Sequence, residues 1–83
     1  MSEERPGVKE MVETVVKAFV DHPEEVSVSE VRKADATVLE LRVNPGDLGK
    51  VIGRQGRTAR ALRALVSVAG EKLDRRIHLQ ILD

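Results

Sequence analysis

Val51-Ile52-Gly53-Arg54-Gln55-Gly56-Arg57-Thr58-Ala59-Arg60-Ala61-Leu62 is the stretch on which the reading of this chain turns. An apolar pair runs into two glycines three apart and then into an alanine- and arginine-rich helical run. Gly53 and Gly56 have no Cβ, so the turn between them lets another backbone come close. They bracket Arg54 and Gln55, one a cation and both polar. The helix that follows aims its free N–H groups, and the positive end of its dipole, at the same turn. A close-approach turn, an arginine and a helix N-terminus together suit an anionic backbone.

Charge supports that reading once it is taken locally. The 83 residues have a formal net charge of zero, 14 basic against 14 acidic. Residues 1–40 nonetheless carry ten acids and five bases, whereas residues 44–66 carry Asp47 against Lys50, Arg54, Arg57, Arg60 and Arg63. A basic segment on an acidic chain is a local electrostatic footprint for a polyanion. One small domain is expected, with 41% hydrophobic residues to build its core. The chain has no cysteine, which removes disulfide frameworks and cysteine-based metal sites. No apolar run approaches the roughly 20 residues that span a bilayer, and no signal-peptide pattern opens the chain. A cytoplasmic protein with no membrane attachment is the expectation.

Working outward, Met1–Gly7 is polar, contains Pro6-Gly7 and reads as a flexible tail, leaving residues 8–83 as the domain. Val8, Met11, Val12, Val15, Val16 and Phe19 recur at helical spacing, and His22-Pro23 is expected to end that helix with His22 as a capping group. Val26–Val31 and Thr37–Val43 read as strands joined by a turn at Lys33-Ala34-Asp35. The second strand alternates cleanly, and the first more weakly. Asn44-Pro45-Gly46-Asp47 is a helix-start signal, with Asn44 as N-cap, Pro45 at the first position and Asp47 favouring the dipole. A short helix carrying Leu48, Val51 and Ile52 breaks at Gly53. A second runs from Arg57 to Ala69 with Leu62, Leu65, Val66 and Ala69 inward, Arg60, Arg63 and Ser67 outward, and Gly70 as its stop. Ile77, Leu79 and Ile81 alternate with His78 and Gln80 as a last strand. The order is α-β-β-α-α-β. A right-handed crossover through two helices makes the last two strands parallel. The result is an α+β fold, a three-stranded mixed sheet with three helices on one face.

That order, with Val51-Ile52-Gly53-Arg54-Gln55-Gly56 between paired helices, resembles a type II KH domain. More narrowly, Gly49 to Ala59 is similar to the small single-domain bacterial KhpA family, and the resemblance covers about residues 8–82. It implies a groove that holds about four nucleotides of single-stranded RNA. The Gly53–Gly56 loop would carry the phosphates, the flanking helices' aliphatic residues would support the bases, and residues 76–82 would form the other wall. The resemblance further implies a low-specificity RNA chaperone or post-transcriptional regulator, acting as a homodimer or as a heterodimer with a larger KH-containing, KhpB-like protein. Many KH domains carry a large aliphatic residue where this chain has Ala59, so base preference does not transfer. The composition suits a groove of this kind. Phe19 is the single aromatic, so base-stacking platforms of the RRM or OB type have nothing to stack on.

The candidate RNA-binding residues are Lys50, Ile52, Gly53, Arg54, Gln55, Gly56, Arg57 and Arg60. Arg75, Arg76 and His78 lie near the proposed far wall, and His78 also reads simply as a polar residue on the open sheet face. No enzyme, cofactor or small-molecule substrate is expected. Gly49-Lys50 lacks the upstream glycine of a P-loop (Asn44 stands there) and is followed by Val51 rather than Ser or Thr. His22 and His78 have no Cys or second His beside them to build a metal or nucleophile site. A helix-turn-helix fits poorly, because its turn would join a very short helix to a long one that leads into a strand. The other reading is a protein-interaction module that works through a KH-containing partner, using its acidic first helix or the open edge of its first strand.

Overall fold

The computed structural model describes residues 7–83, so the expected tail, apart from Gly7, lies outside the described residues. Gly7 is the N-cap of α1 (Val8–Lys17), and its carbonyl accepts from the Met11 N–H at 3.0 Å. Val12 and Val16, one turn apart, are fully buried, each burial stabilising by about 1.5–3 kcal/mol. The helix ends five residues short of His22. The Ala18 and Phe19 N–H groups turn back to the carbonyls of Val15 and Val16, closing the last turn tightly. Phe19 therefore falls outside α1 and is 37% exposed. His22 makes no side-chain cap. It precedes a 3-10 turn, Pro23–Glu25, with its Nδ1 3.6 Å from a Glu24 carboxylate oxygen.

β1 (Ser27–Arg32) and β2 (Thr37–Arg42) form the antiparallel hairpin, with Val28 opposite Leu41 and Val31 opposite Val38. Lys33 N–H to Ala36 O closes the turn at 2.8 Å. β2 is the central strand, and Thr37, Leu39 and Leu41 are buried in strict alternation. β3 (Ile77–Ile81) lies parallel to β2, with Leu39 opposite Leu79, and buries Ile77 and Leu79. Only Val28 of β1 is buried, as suits an edge strand with one flank open. The helices supply Val12, Val16, Val51, Leu62 and Val66 to the same core. His78 and Gln80 sit on the opposite, exposed sheet face.

Between β2 and β3 run α2 (Leu48–Ile52) and α3 (Arg57–Lys72). Asn44 and Pro45 start a 3-10 turn, Pro45–Asp47, and the Asn44 side chain accepts from Gly46 N–H at 2.7 Å. Asp47 does more than favour a dipole. It is 1% exposed, and its two carboxylate oxygens accept from the backbone N–H groups of Asp21 (3.1 Å) and His22 (2.9 Å).

Two expectations for α3 are corrected. Leu65, expected inward, is 47% exposed, because the buried stripe passes through Ala59, Leu62, Val66 and Gly70. Gly70 does not stop the helix, which continues to Lys72. It is buried where the chain returns towards β3, its carbonyl accepting from Arg75 N–H at 2.8 Å. A Cβ on Gly70 would stand 2.7 Å from the Arg75 carbonyl oxygen. Helix propensity alone makes alanine better than glycine by about 1 kcal/mol. Overpacking costs about 1–3 kcal/mol and is expected to win. Gly70→Ala should therefore lower the urea unfolding midpoint; a raised midpoint would show that the return after α3 relaxes freely.

Candidate nucleic-acid interface

α2 stops at Gly53 because that residue adopts φ 79° and ψ 168°, a conformation open essentially to glycine. Its N–H still closes the helix on the Gly49 carbonyl at 2.8 Å. Arg54–Gly56 forms a 3-10 turn, closed by Gly56 N–H to Gly53 O at 3.0 Å. Gln55 (φ 57°) and Gly56 (φ 75°) are both left-handed, and this pair redirects the chain into α3. The turn also passes very close to the start of α3: a Cβ on Gly53 would overlap the Thr58 hydroxyl and backbone nitrogen. The first-turn N–H groups of α3 therefore open onto the loop.

Arg54 and Gln55 stand exposed at the tip, and Arg57 Nη2 donates to Gln55 Oε1 at 3.5 Å. One turn into α3, Arg60 brings Nη1 within 3.4 Å of the point where a Gly56 Cβ would be. Three arginines thus crowd around two glycines. Below them a groove of about 370 Å³ is lined by Leu48, Ile52, Gly56, Ala59, Arg60 and Arg63, with Ile81 and Asp83 closing it from the β3 end. Ile52 is 40% exposed there, an apolar floor with no aromatic in it. Ala59 is buried behind the groove, and its small side chain leaves the floor open.

A second cleft, of about 600 Å³, adjoins the first at Arg63. Ser67 and Glu71 line it from α3, and Arg76, His78 and Leu79 from the β3 side. The 16 residues of α3 span about 24 Å, so the two clefts follow the helix for most of its length. β3 is the outer strand on this side, and the backbone groups it does not share with β2 face outward.

Lys50 is not brought to this surface. On α2, Leu48 and Ile52 are four apart and share the groove side, whereas Lys50 lies between them on the other side with Nζ 3.1 Å from Asp21 Oδ2. Arg75 is committed elsewhere too. Its Nη2 donates to Thr37 Oγ1 at 3.0 Å and lies 3.3 Å from Glu30 Oε2, tying the start of β3 to the hairpin. Leu48 and Arg63 were absent from the expected site, whereas Ile81 lies within the far wall expected at residues 76–82. Helical spacing from Ile52 and Arg60 points to both Leu48 and Arg63. Among the described residues, His22, Glu24 and Glu25 place metal-capable atoms within 4.8 Å of one another, but all three are exposed surface groups.

The family profile described as KhpA/KhpB, KH domain matches residues 9–81. The protein of Halalkalibacterium halodurans named RNA-binding protein KhpA is 50% identical over 76 residues, covering 92% of this chain and 100% of its own. The protein of that name from Aquifex aeolicus is 46% identical over 77 residues, covering 93% and 98%. That from Leifsonia xyli subsp. xyli is 51% identical over 69 residues, covering 83% and 88%. Among solved structures, a variant of Aquifex aeolicus Era bound to GDP and aluminium fluoride is similar with a TM-score of 0.59 at 17% identity. It covers 89% of this chain, which spans 29% of that one, and the likeness is one of fold.

The two loop glycines separate in a stability measurement. Gly56→Ala meets only ordinary contact and should cost about 1–2 kcal/mol for its left-handed torsion. Gly53→Ala adds the overlap with Thr58 to backbone strain of about 1–3 kcal/mol and should cost more. Equal losses in urea denaturation would contradict this geometry.

Proposed function

The chain belongs to the KhpA/KhpB family of KH domains, and from that premise we propose that it grips short single-stranded RNA in the groove beside Gly53-Arg54-Gln55-Gly56. The observation that carries this is the junction of a glycine loop, three arginines and an aliphatic groove floor at the N-terminus of one long helix. Phosphates lie against the loop, held by Arg54, Arg57, Arg60 and the first N–H groups of α3. Gln55 donates a hydrogen bond. Gly53 and Gly56 admit the ligand backbone, and Ile52 supports a base. Lys50, paired with Asp21, contributes field rather than contact. A groove of this size makes few base-specific contacts, which suits a low-specificity RNA chaperone or post-transcriptional regulator in the cytoplasm. Among the described residues no helix is long and apolar enough to cross a membrane.

The test is fluorescence anisotropy on a short labelled RNA, comparing wild type with Arg54→Asp/Gln55→Asp after circular dichroism has shown equal folding. Binding should collapse in the variant; equal binding would remove the loop from the RNA site. For three phosphate contacts, affinity should fall about 20-fold between 50 and 200 mM salt, following a slope of about −0.7 per phosphate for single strands. A flat salt response would mean that phosphates are not what is held.

The same helix supports an assembly role. Ala61, Ala64, Leu65 and Val68 are exposed on a side of α3 distinct from both core and groove, Val68 being 64% exposed. This stripe suits a homodimer, or a heterodimer with a larger KH-containing, KhpB-like protein. Linking two weak grooves would raise affinity through effective concentration. Val68→Glu should give a folded monomer in light scattering if copies pair through this stripe; an unchanged mass above monomer would place the contact elsewhere.

A further inference from the structure

The groove side of α3 changes chemistry along its length. Arg60 and Arg63 occupy it near the glycine loop, then Ser67, then Glu71, each three or four residues from the last. Glu71 therefore stands in the larger cleft, facing the path of a bound strand. Among the described residues it takes part in no ion pair and no side-chain hydrogen bond. A carboxylate in a polyanion's groove repels phosphate and offers only acceptors. Arg60 and Arg63 attract phosphate at the glycine-loop end, so on the RNA reading it is a base rather than a phosphate that suits the Glu71 end.

We propose that Glu71 is a specificity-determining residue, selecting a base that bears an exocyclic amino group at the end of the groove remote from the glycine loop. This rests on the RNA reading above and adds to it a preference for cytosine, adenine or guanine over uracil. The amino groups of the first three donate N–H to the carboxylate. Uracil offers one N–H flanked by two carbonyl oxygens, and both oxygens face a negative charge. The cleft, at about 600 Å³, falls within the roughly 300–1,000 Å³ of pockets that bury small ligands. Arg76, which also lines the cleft, carries guanidinium donors for base acceptor atoms. Asp74, at the rim of the same cleft, has the same sign and reinforces the preference.

The experiment uses the full chain with labelled six-nucleotide homopolymers of uridine, cytidine and adenosine at one fixed salt concentration. Wild type should bind the cytidine and adenosine strands about tenfold more tightly than the uridine strand, as expected for one hydrogen bond to a charged acceptor. Glu71→Gln keeps size and helix propensity while adding an amide that can donate to a uracil carbonyl. The three affinities should then converge to within about twofold, with uridine gaining and the others losing. The ratio between strands is the readout, because loss of structure would weaken all three together. If Glu71→Gln tightens all three by one factor, Glu71 acts only as bulk charge and the proposal is wrong. Equal wild-type affinities, or an unchanged ratio in the variant, overturn it too. Wild-type binding that is lost in Arg54→Asp/Gln55→Asp but leaves the base ratio insensitive to Glu71→Gln would sink this inference alone. Absence of any wild-type binding would sink the RNA reading with it.

Discussion

The buried carboxylate of Asp47 is the contact on which the rest depends. α2 has five residues, too few to persist on its own helical bonds, yet it carries Ile52 to the groove and delivers the chain to Gly53. What holds it is the bidentate acceptance of the Asp21 and His22 N–H groups at its start. Lys50 adds a second tie to Asp21 one turn later. Among the described residues Asp47 has no cation paired with it. Two N–H donors and the positive end of α2 take the place of water around it. An element from the beginning of the chain thereby positions a loop in its second half.

α3 divides its circumference among three tasks. Ala59, Leu62, Val66 and Gly70 close the core, Arg60, Arg63, Ser67 and Glu71 face the clefts, and Ala61, Ala64, Leu65 and Val68 face solvent. Gly70 lets the chain return against the helix at van der Waals limits, so β3 lies alongside as the facing wall. The Arg75 guanidinium, shared between Glu30 and Thr37, fixes where that wall begins. The groove thus follows from a right-handed crossover whose returning strand stands at the sheet edge.

Much of this was legible in the residues. The order of elements, the alternation of β2 and the break at Gly53 all follow from local rules, and the glycine loop marked the site. What escaped was set by contacts distant in sequence. α1 was read through to His22 because its apolar spacing continues to Phe19, whereas the next segment is drawn to Asp47, 26 and 25 positions away. Asp47 was read as a favourable end charge, since nothing local marks a carboxylate as buried. Gly70 carries the local mark of a helix stop, and only the Arg75 backbone shows its packing role. Leu65 lies at the boundary of the apolar stripe, where spacing alone permits either side. Lys50 was counted with the basic run, and direction rather than charge removes it from the groove. Leu48 and Arg63 lie one helical turn from Ile52 and Arg60, so their place in the groove follows from spacing alone.

The glycine loop separates shape from contact. Its course is written in the torsions of Gly53, Gln55 and Gly56 and in the lack of room above Thr58, whereas the Arg54 and Gln55 side chains project into water. Substitutions at Arg54, or at Gln55 by a residue that tolerates the left-handed torsion, therefore change the grip on a ligand with little effect on the fold, whereas substitutions at the glycines disturb the loop itself and the grip with it. A lineage could adjust affinity through the tip residues over a wide range while the framework stays fixed, and only the outer pair would be held by selection for stability.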